Sequence, residues 1–186
     1  MGRPKLLLPY RGTTLVGAVA DSLRRAGVSS IVLVTAPGDE PLQAWARDAG
    51  LLAAVNPTPE HGMLSTIREG LAALGGTAEL ARRGEVVLVT PADLPGLQPE
   101  AIRELLRRME ETGAPLAVPV YRGKRGHPLA IAPALLPEID TLDLDVGLRQ
   151  LLDRHAAAVL EVEAGDSGVV EDVDTPEDYR RVTGEG

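Results

Sequence analysis

Two stretches, SIVLVT (Ser30 to Thr35) and EVVLVT (Glu85 to Thr90), are unbroken aliphatic runs closed by threonine. A strand with one wet face alternates apolar and polar residues, so a continuous run belongs to a strand covered on both faces. Around these runs the period changes to that of helices. TTLVGAVADSLRRAGV places Leu15, Val16, Val19 and Leu23 on one helical face, with Thr13 or Thr14 to cap it and Gly27 to stop it. Helices are also predicted over about 41–49, in GMLSTIREGLAALGG, and over about 146–155. LQPEAIRELLRRMEETG is a further helix, with Pro99 in its first turn and Gly113 just past its end. Short strands are expected near 51–55 and in AVLEVE, while APLAVPVY and HPLAIA flank RGKRG as a β-hairpin added to the sheet. Strands alternating with helices give an α/β fold with a mostly parallel sheet, which binds ligands beyond the carboxyl ends of its strands.

A chain of 186 residues is most naturally one domain, spanning 1–186, and 44% hydrophobic residues suffice for a core. That core is aliphatic, because the chain has no Phe, one Trp and three Tyr. The absence of Cys removes disulfides, thiol catalysis and cysteine metal sites. No apolar run approaches bilayer length, which predicts a soluble, cytoplasmic protein with no membrane partner. A net charge of −8 repels a nucleic acid backbone, so nucleic acid is not the expected partner. Of 19 basic residues only Lys5 and Lys124 are lysines, and both lie in Gly-containing turns. A lysine offers a compact point charge where an arginine offers a planar fork.

Four places could carry chemistry. In VVLVTPADLPGL, Asp93 follows a buried strand and stands between Pro91 and Pro95, either as a fixed carboxylate or as an ordinary turn residue. In VVEDVDTPEDY, Thr175, Pro176 and Asp178 make a helix start, which leaves Asp172 and Asp174 unexplained. On an extended segment those two face one side, and one of them could join Asp93 around a hard divalent cation. YRGKRGHPLA gathers Arg122, Lys124 and Arg125 at a hairpin with Gly126, His127 and Pro128, a solvated tip or a basic binding edge. NPTPEHGMLSTIREG brings a loop to a helix start at Gly62, Met63 and Ser65, a place where polar ligand groups can bind. No nucleophile elbow, P-loop or zinc spacing occurs. Carboxylates for a cation with Lys and Arg for phosphates suit phosphoryl or nucleotidyl transfer.

Taken in order, MGRPKLLLPYRGTTL, NPTPEHGMLSTIREGL, VVLVTPADLP, VYRGKRGHPLAI and VEDVDTPEDY resemble the MobA-like nucleotidyltransferases, most of all the molybdenum cofactor cytidylyltransferases. The resemblance implies a Rossmann-like three-layer sandwich and a Mg²⁺-dependent transfer of CMP from CTP to a molybdopterin-type cofactor, releasing pyrophosphate. It implies that Lys5 neutralises the triphosphate and that Asp93, with Asp174 and Asp172, holds Mg²⁺. Gly62, Met63 and Ser65 would lie near the base and ribose. Lys124, Gly126, His127 and Pro128 would face the acceptor, and a molybdoenzyme or its chaperone would be the protein partner. The alternatives are guanylyl or other nucleotidyl transfer to a different phosphorylated metabolite, or an impaired nucleotide-binding protein. The family signature has the form L-A-A-G-x-S-x-R-M-G-x-x-K, and this chain starts at its M-G. The expectation is therefore a domain lacking its first strand and most of its phosphate loop.

Overall fold

The computed structural model describes residues 4–184, so the M-G-R start of the signature lies outside the described residues. In chain order the elements are β1 (Pro9–Tyr10), β2 (Thr13–Thr14), α1 (Leu15–Arg25), β3 (Val32–Thr35), α2 (Glu40–Asp48), β4 (Leu52–Val55), α3 (Met63–Ala73) and α4 (Thr77–Arg82). They continue with β5 (Val87–Val89), α5 (Pro99–Thr112), β6 (Leu116–Tyr121), β7 (Lys124–Arg125), β8 (Leu129–Ile131), α6 (Arg149–Arg154), β9 (Val159–Glu163) and α7 (Pro176–Thr183). Single 3₁₀ turns occur at Lys5–Leu7, Pro59–His61, Ala156–Ala158 and Ser167–Val169, and a longer one covers Pro133–Thr141.

The architecture is the expected α/β sandwich. β3 pairs β4 in parallel and β6 pairs β9 in parallel. The hairpin is woven in rather than appended: after a turn at Arg122 and Gly123, both with positive φ, β8 enters antiparallel between β5 and β6. Side chains alternate across this sheet. Leu116 and Val118 of β6, with Leu129 and Ile131 of β8, face a cluster built on α3, α4, α6 and the 133–141 turn. Ala117 and Ala130 face the other way, where their small size admits Leu105 and Met109 of α5. α1 and α2 cover that second face beside α5, through Val16, Ala20, Leu42 and Ala46 around Leu33.

Most predicted elements form, capped as expected: the Thr14 hydroxyl accepts from the Gly17 amide at 3.1 Å, and Gly113 closes α5 in the left-handed region. The helix expected over 146–155 is confined to Arg149–Arg154, because Gly147 adopts φ 76° and interrupts it. Both aliphatic runs give shorter strands than expected. β3 has β4 as its only partner and β5 has β8 as its only partner, so no strand joins β3 to β5 among the described residues.

Candidate active site

The loop that leaves β5 carries Asp93, and the segment that enters α7 carries Asp174. These stretches are held together by main chain. The Val173 amide donates to the Asp93 carbonyl at 3.0 Å, so a residue flanked by Asp172 and Asp174 is tied directly to Asp93. Below that bond the two backbones touch at glycines: a Cβ on Gly168 would meet the Gly96 carbonyl oxygen at 2.1 Å. The hairpin docks on the same turn. The His127 amide donates to the Val169 carbonyl at 2.8 Å, and a Cβ on Gly126 would meet that oxygen at 2.2 Å. Val169 itself is fully buried.

Lys5 closes the constellation from the other end of the chain. Its Nζ donates to Asp93 Oδ2 at 2.8 Å and to Asp174 Oδ1 at 3.1 Å. One ammonium thus sits between carboxylates from two distant stretches. Desolvation pulls the Lys5 pKa down, but hydrogen bonds and charge attraction from Asp93 and Asp174 outweigh it, and the net shift is upward. Asp93 is the more sheltered carboxylate, with its side chain 18% exposed against 66% for Asp174. The donor set is oxygen only and part-open to solvent, which suits a hard cation that keeps waters and phosphate oxygens as its other ligands. Among the described residues no group of three His, Cys, Asp or Glu could hold a metal ion, so an all-protein cage is not what this site offers.

Asp174 reaches Lys5, and the charges of Asp172 and Asp93 both act on the His127 imidazole. Residues 171–174 form no strand. His127 is a buried group beside this site. Burial lowers its pKa, partly countered by the Val89 carbonyl and the charges of Asp172 and Asp93. Its Nδ1 is fully buried and has no hydrogen-bond partner among the described residues. Pro128 follows through a cis peptide bond. Lys124, at the exposed tip, lies with its Nζ 3.5 Å from the Val170 carbonyl. Arg125 pairs instead with Glu161 of β9 at 2.7 Å.

The loop before α3 is rigidly built. Asn56, 1% exposed, donates through Nδ2 to the hydroxyls of Ser65 and Thr66, and its Oδ1 accepts from the Thr58 amide. The Ser65 hydroxyl shares its proton between the carbonyls of Gly62 and Thr58, at 2.7 and 3.2 Å. Ser65 is therefore the peg that fixes this loop. Gly62 has φ 78° and ψ −167°, a region open essentially to glycine alone. A Cβ there would meet nothing within 4 Å, and Met63 beside it is 65% exposed, so this junction presents bare main chain and a flexible apolar side chain outward.

Sequence reasoning passed over Asn56, Gly96, Gly168 and Val173. Asn56 had a signal, a lone asparagine closing the LLAAV strand ahead of NPTP. The glycine contact had none, since two glycines far apart in sequence announce no meeting.

Comparison with known proteins adds to this geometry. Residues 1–159 match the family described as "MobA-like NTP transferase domain". Nicotine blue oxidoreductase of Paenarthrobacter nicotinovorans is 30% identical over 191 residues, covering 98% of this chain and 89% of that protein. A 2-C-methyl-D-erythritol 4-phosphate cytidylyltransferase of Saccharopolyspora erythraea is 34% identical over 120 residues, or 64% of this chain and 52% of its own length. The crystal structure of Rv0371c of Mycobacterium tuberculosis H37Rv complexed with manganese superposes with a TM-score of 0.72 and 27% identity, covering all of this chain and 95% of that one. With a family match across most of its length and a relative aligned almost end to end, this chain belongs to the MobA-like NTP transferase family.

Proposed function

We propose that the protein transfers CMP from CTP to a molybdopterin-type cofactor and releases pyrophosphate. The observation that carries this reading is the Lys5 ammonium held between Asp93 and Asp174, a cluster of net charge −1 beyond the end of a sheet strand. An acceptor phosphate oxygen forms a bond to the α-phosphorus while the bond to the β-phosphate oxygen breaks, with no covalent enzyme intermediate. Asp93 and Asp174 would hold Mg²⁺, which supplies charge neutralisation at the α-phosphate. Lys5 would then turn from the carboxylates to the triphosphate. Gly62 and Met63 would receive base and ribose, with Ser65 fixing their loop. Lys124, Gly126, His127 and Pro128 would present the acceptor, and the product would pass to a molybdoenzyme or its chaperone in the cytoplasm. The cytidylyltransferase and the manganese-bound relative support the nucleotide and metal parts of this reading.

The test offers CTP or GTP with a molybdopterin-type or sugar-phosphate acceptor and follows pyrophosphate. CTP with molybdopterin is the expected productive pair. Asp93→Asn should lower kcat/KM by about 100-fold or more, the scale of losing one group that stabilises transition-state charge. Lys5→Ala should lose turnover but bind Mn²⁺ more tightly without nucleotide, because it removes the competing ammonium. Undiminished turnover by Asp93→Asn would end the proposal.

The name of the relative aligned almost end to end favours a second reading, oxidoreduction of nicotine blue. Consumption of a reduced nicotinamide nucleotide on nicotine blue, without pyrophosphate release from any nucleotide pair, would put that reading first.

A further inference from the structure

We propose that Tyr179 is a positioning residue of the candidate active site: its hydroxyl ties the segment that bears Lys5 to the segment that bears Asp174, and so sets the ammonium between the two carboxylates.

Tyr179 stands outside the charged cluster, on α7. Its hydroxyl donates to the Pro9 carbonyl at 2.6 Å, which joins a point just beyond Asp174 to a point just beyond Lys5. Both sides of that bond are stiff. Toward Lys5, the Leu8 amide donates to the Lys5 carbonyl at 3.1 Å and closes the 3₁₀ turn, while the Leu15 amide donates to the Leu8 carbonyl at 3.1 Å. Toward Asp174, the Tyr179 amide donates to the Thr175 carbonyl at 3.1 Å. Thr175 is itself locked by reciprocal bonds with Asp178 at the head of α7. A closed circuit results, running from Lys5 through Leu8, Pro9, Tyr179 and Thr175 to Asp174, and returning through the ion pair at 3.1 Å.

The two carboxylates do not need this circuit to find each other. The Val173 amide already holds Asp174's neighbour to the Asp93 carbonyl, and Val173 is only 1% exposed. Lys5 has no such main-chain bond to either acidic stretch among the described residues. Apart from the ion pair itself, the bond from Tyr179 to Pro9 is the only hydrogen bond between residues 4–14 and 171–184 among the described residues. The Lys5 side chain is 41% exposed and sits on a flexible four-carbon stem, so its ammonium is placed only as well as its main chain is. Leu8, Tyr10 and Val173 pack in one cluster with the Tyr179 ring, which brings the two segments together; the hydroxyl then fixes how far one slides on the other.

The bond is better suited to placement than to stability. Pro9 and Tyr179 both line an open pocket between the first hairpin and α7, where water can replace a lost hydrogen bond at small cost. A small displacement of a group that acts on the reacting atoms, by contrast, costs a large factor in rate. This role rests on the reading of Lys5, Asp93 and Asp174 as the reacting centre.

Tyr179→Phe keeps the ring and removes the hydroxyl alone. Lys5 and Lys124 are the chain's two lysines, so Lys124 serves as an internal reference for trace acetylation read site by site by mass spectrometry. An ammonium that donates to two carboxylates is withheld from the reagent. In Tyr179→Phe the ratio of Lys5 to Lys124 labelling should rise about fivefold, the scale of one hydrogen bond, while Tm stays within about 2 °C. Tyr179→Leu, which also empties the ring's place in the cluster, should raise the ratio and lower Tm together. An unchanged ratio in Tyr179→Phe would overturn the proposal. So would a ratio that rises in Tyr179→Phe only with a Tm loss as large as that of Tyr179→Leu, because the hydroxyl would then be a structural support. Both readouts need no nucleotide, so they decide the positioning role even if no nucleotide and acceptor release pyrophosphate, a result that would defeat the transfer reading alone. With a productive pair, Tyr179→Phe should lower kcat about tenfold and leave nucleotide KM within about twofold. The opposite split, with KM raised and kcat intact, would equally overturn the proposal.

Discussion

At the scale of single residues, Asn56 does more than any charged group to fix the region beside the site. Both ends of its buried amide are engaged, and its removal takes a partner from the Ser65 and Thr66 hydroxyls and from the Thr58 amide at once. Asn56→Ala should therefore cost about 2 kcal/mol, the range for stranding buried polar partners, with the midpoint of urea unfolding as the readout. Because the loop at Gly62 and Met63 loses its peg, nucleotide KM should rise more than kcat falls. The sequence singled out Asp93, Asp174 and Lys5, although for Asp93 an ordinary turn was an open reading and the part given to Lys5 came from the family resemblance. It did not show that Asp174 is the one that bonds Lys5, because residues 171–174 belong to no strand or helix whose periodicity could rank them. For Ser65 it found the position, although the hydroxyl is spent on the loop's own carbonyls.

Among the elements, the turn Ser167–Val169 is the joint on which the loop after β5, the hairpin and the acidic segment meet. Gly168→Ala would drive a methyl group into the Gly96 carbonyl, and main chain cannot swing aside as a side chain can. The expected result is a Tm loss of several degrees, with Mn²⁺ affinity falling as Asp93 and Asp174 part. Gly123→Ala, at an exposed turn with no atom within 4 Å, should leave Mn²⁺ affinity unchanged and thus serves as the control. Elements with clean periodicity were legible: α1, α5 and β6 fall where their patterns place them. α4 was not, because Gly75 and Gly76 read as the end of a helix when Gly76 in fact precedes a new one. The 133–141 turn was hidden by Pro137 in its middle. That β8 lies between β5 and β6 has no local signal, as strand order is decided by which faces the helices cover.

For the whole molecule, acid should act in two stages. The depressed pKa of His127 means that, as pH falls through 6.5, the unfolded chain takes up a proton that the folded chain refuses. Stability present above that pH is therefore lost below it. A second loss follows between 3.8 and about 2, where Asp178 ceases to be ionised and its bonds with Thr175 at the head of α7 weaken. Denaturant midpoints at about pH 8, 5.5 and 3 should fall in that order, and His127→Gln should remove the first drop while sparing the second. The order of the strands has a further consequence, for synthesis on the ribosome. β5 emerges well before β8, its only partner among the described residues, and a chain growing at roughly 5–20 residues per second leaves that apolar edge bare for seconds. Slowing elongation across the hairpin codons would lengthen the interval, so soluble yield should depend on codon choice at residues 116–131 and on the chaperones at hand.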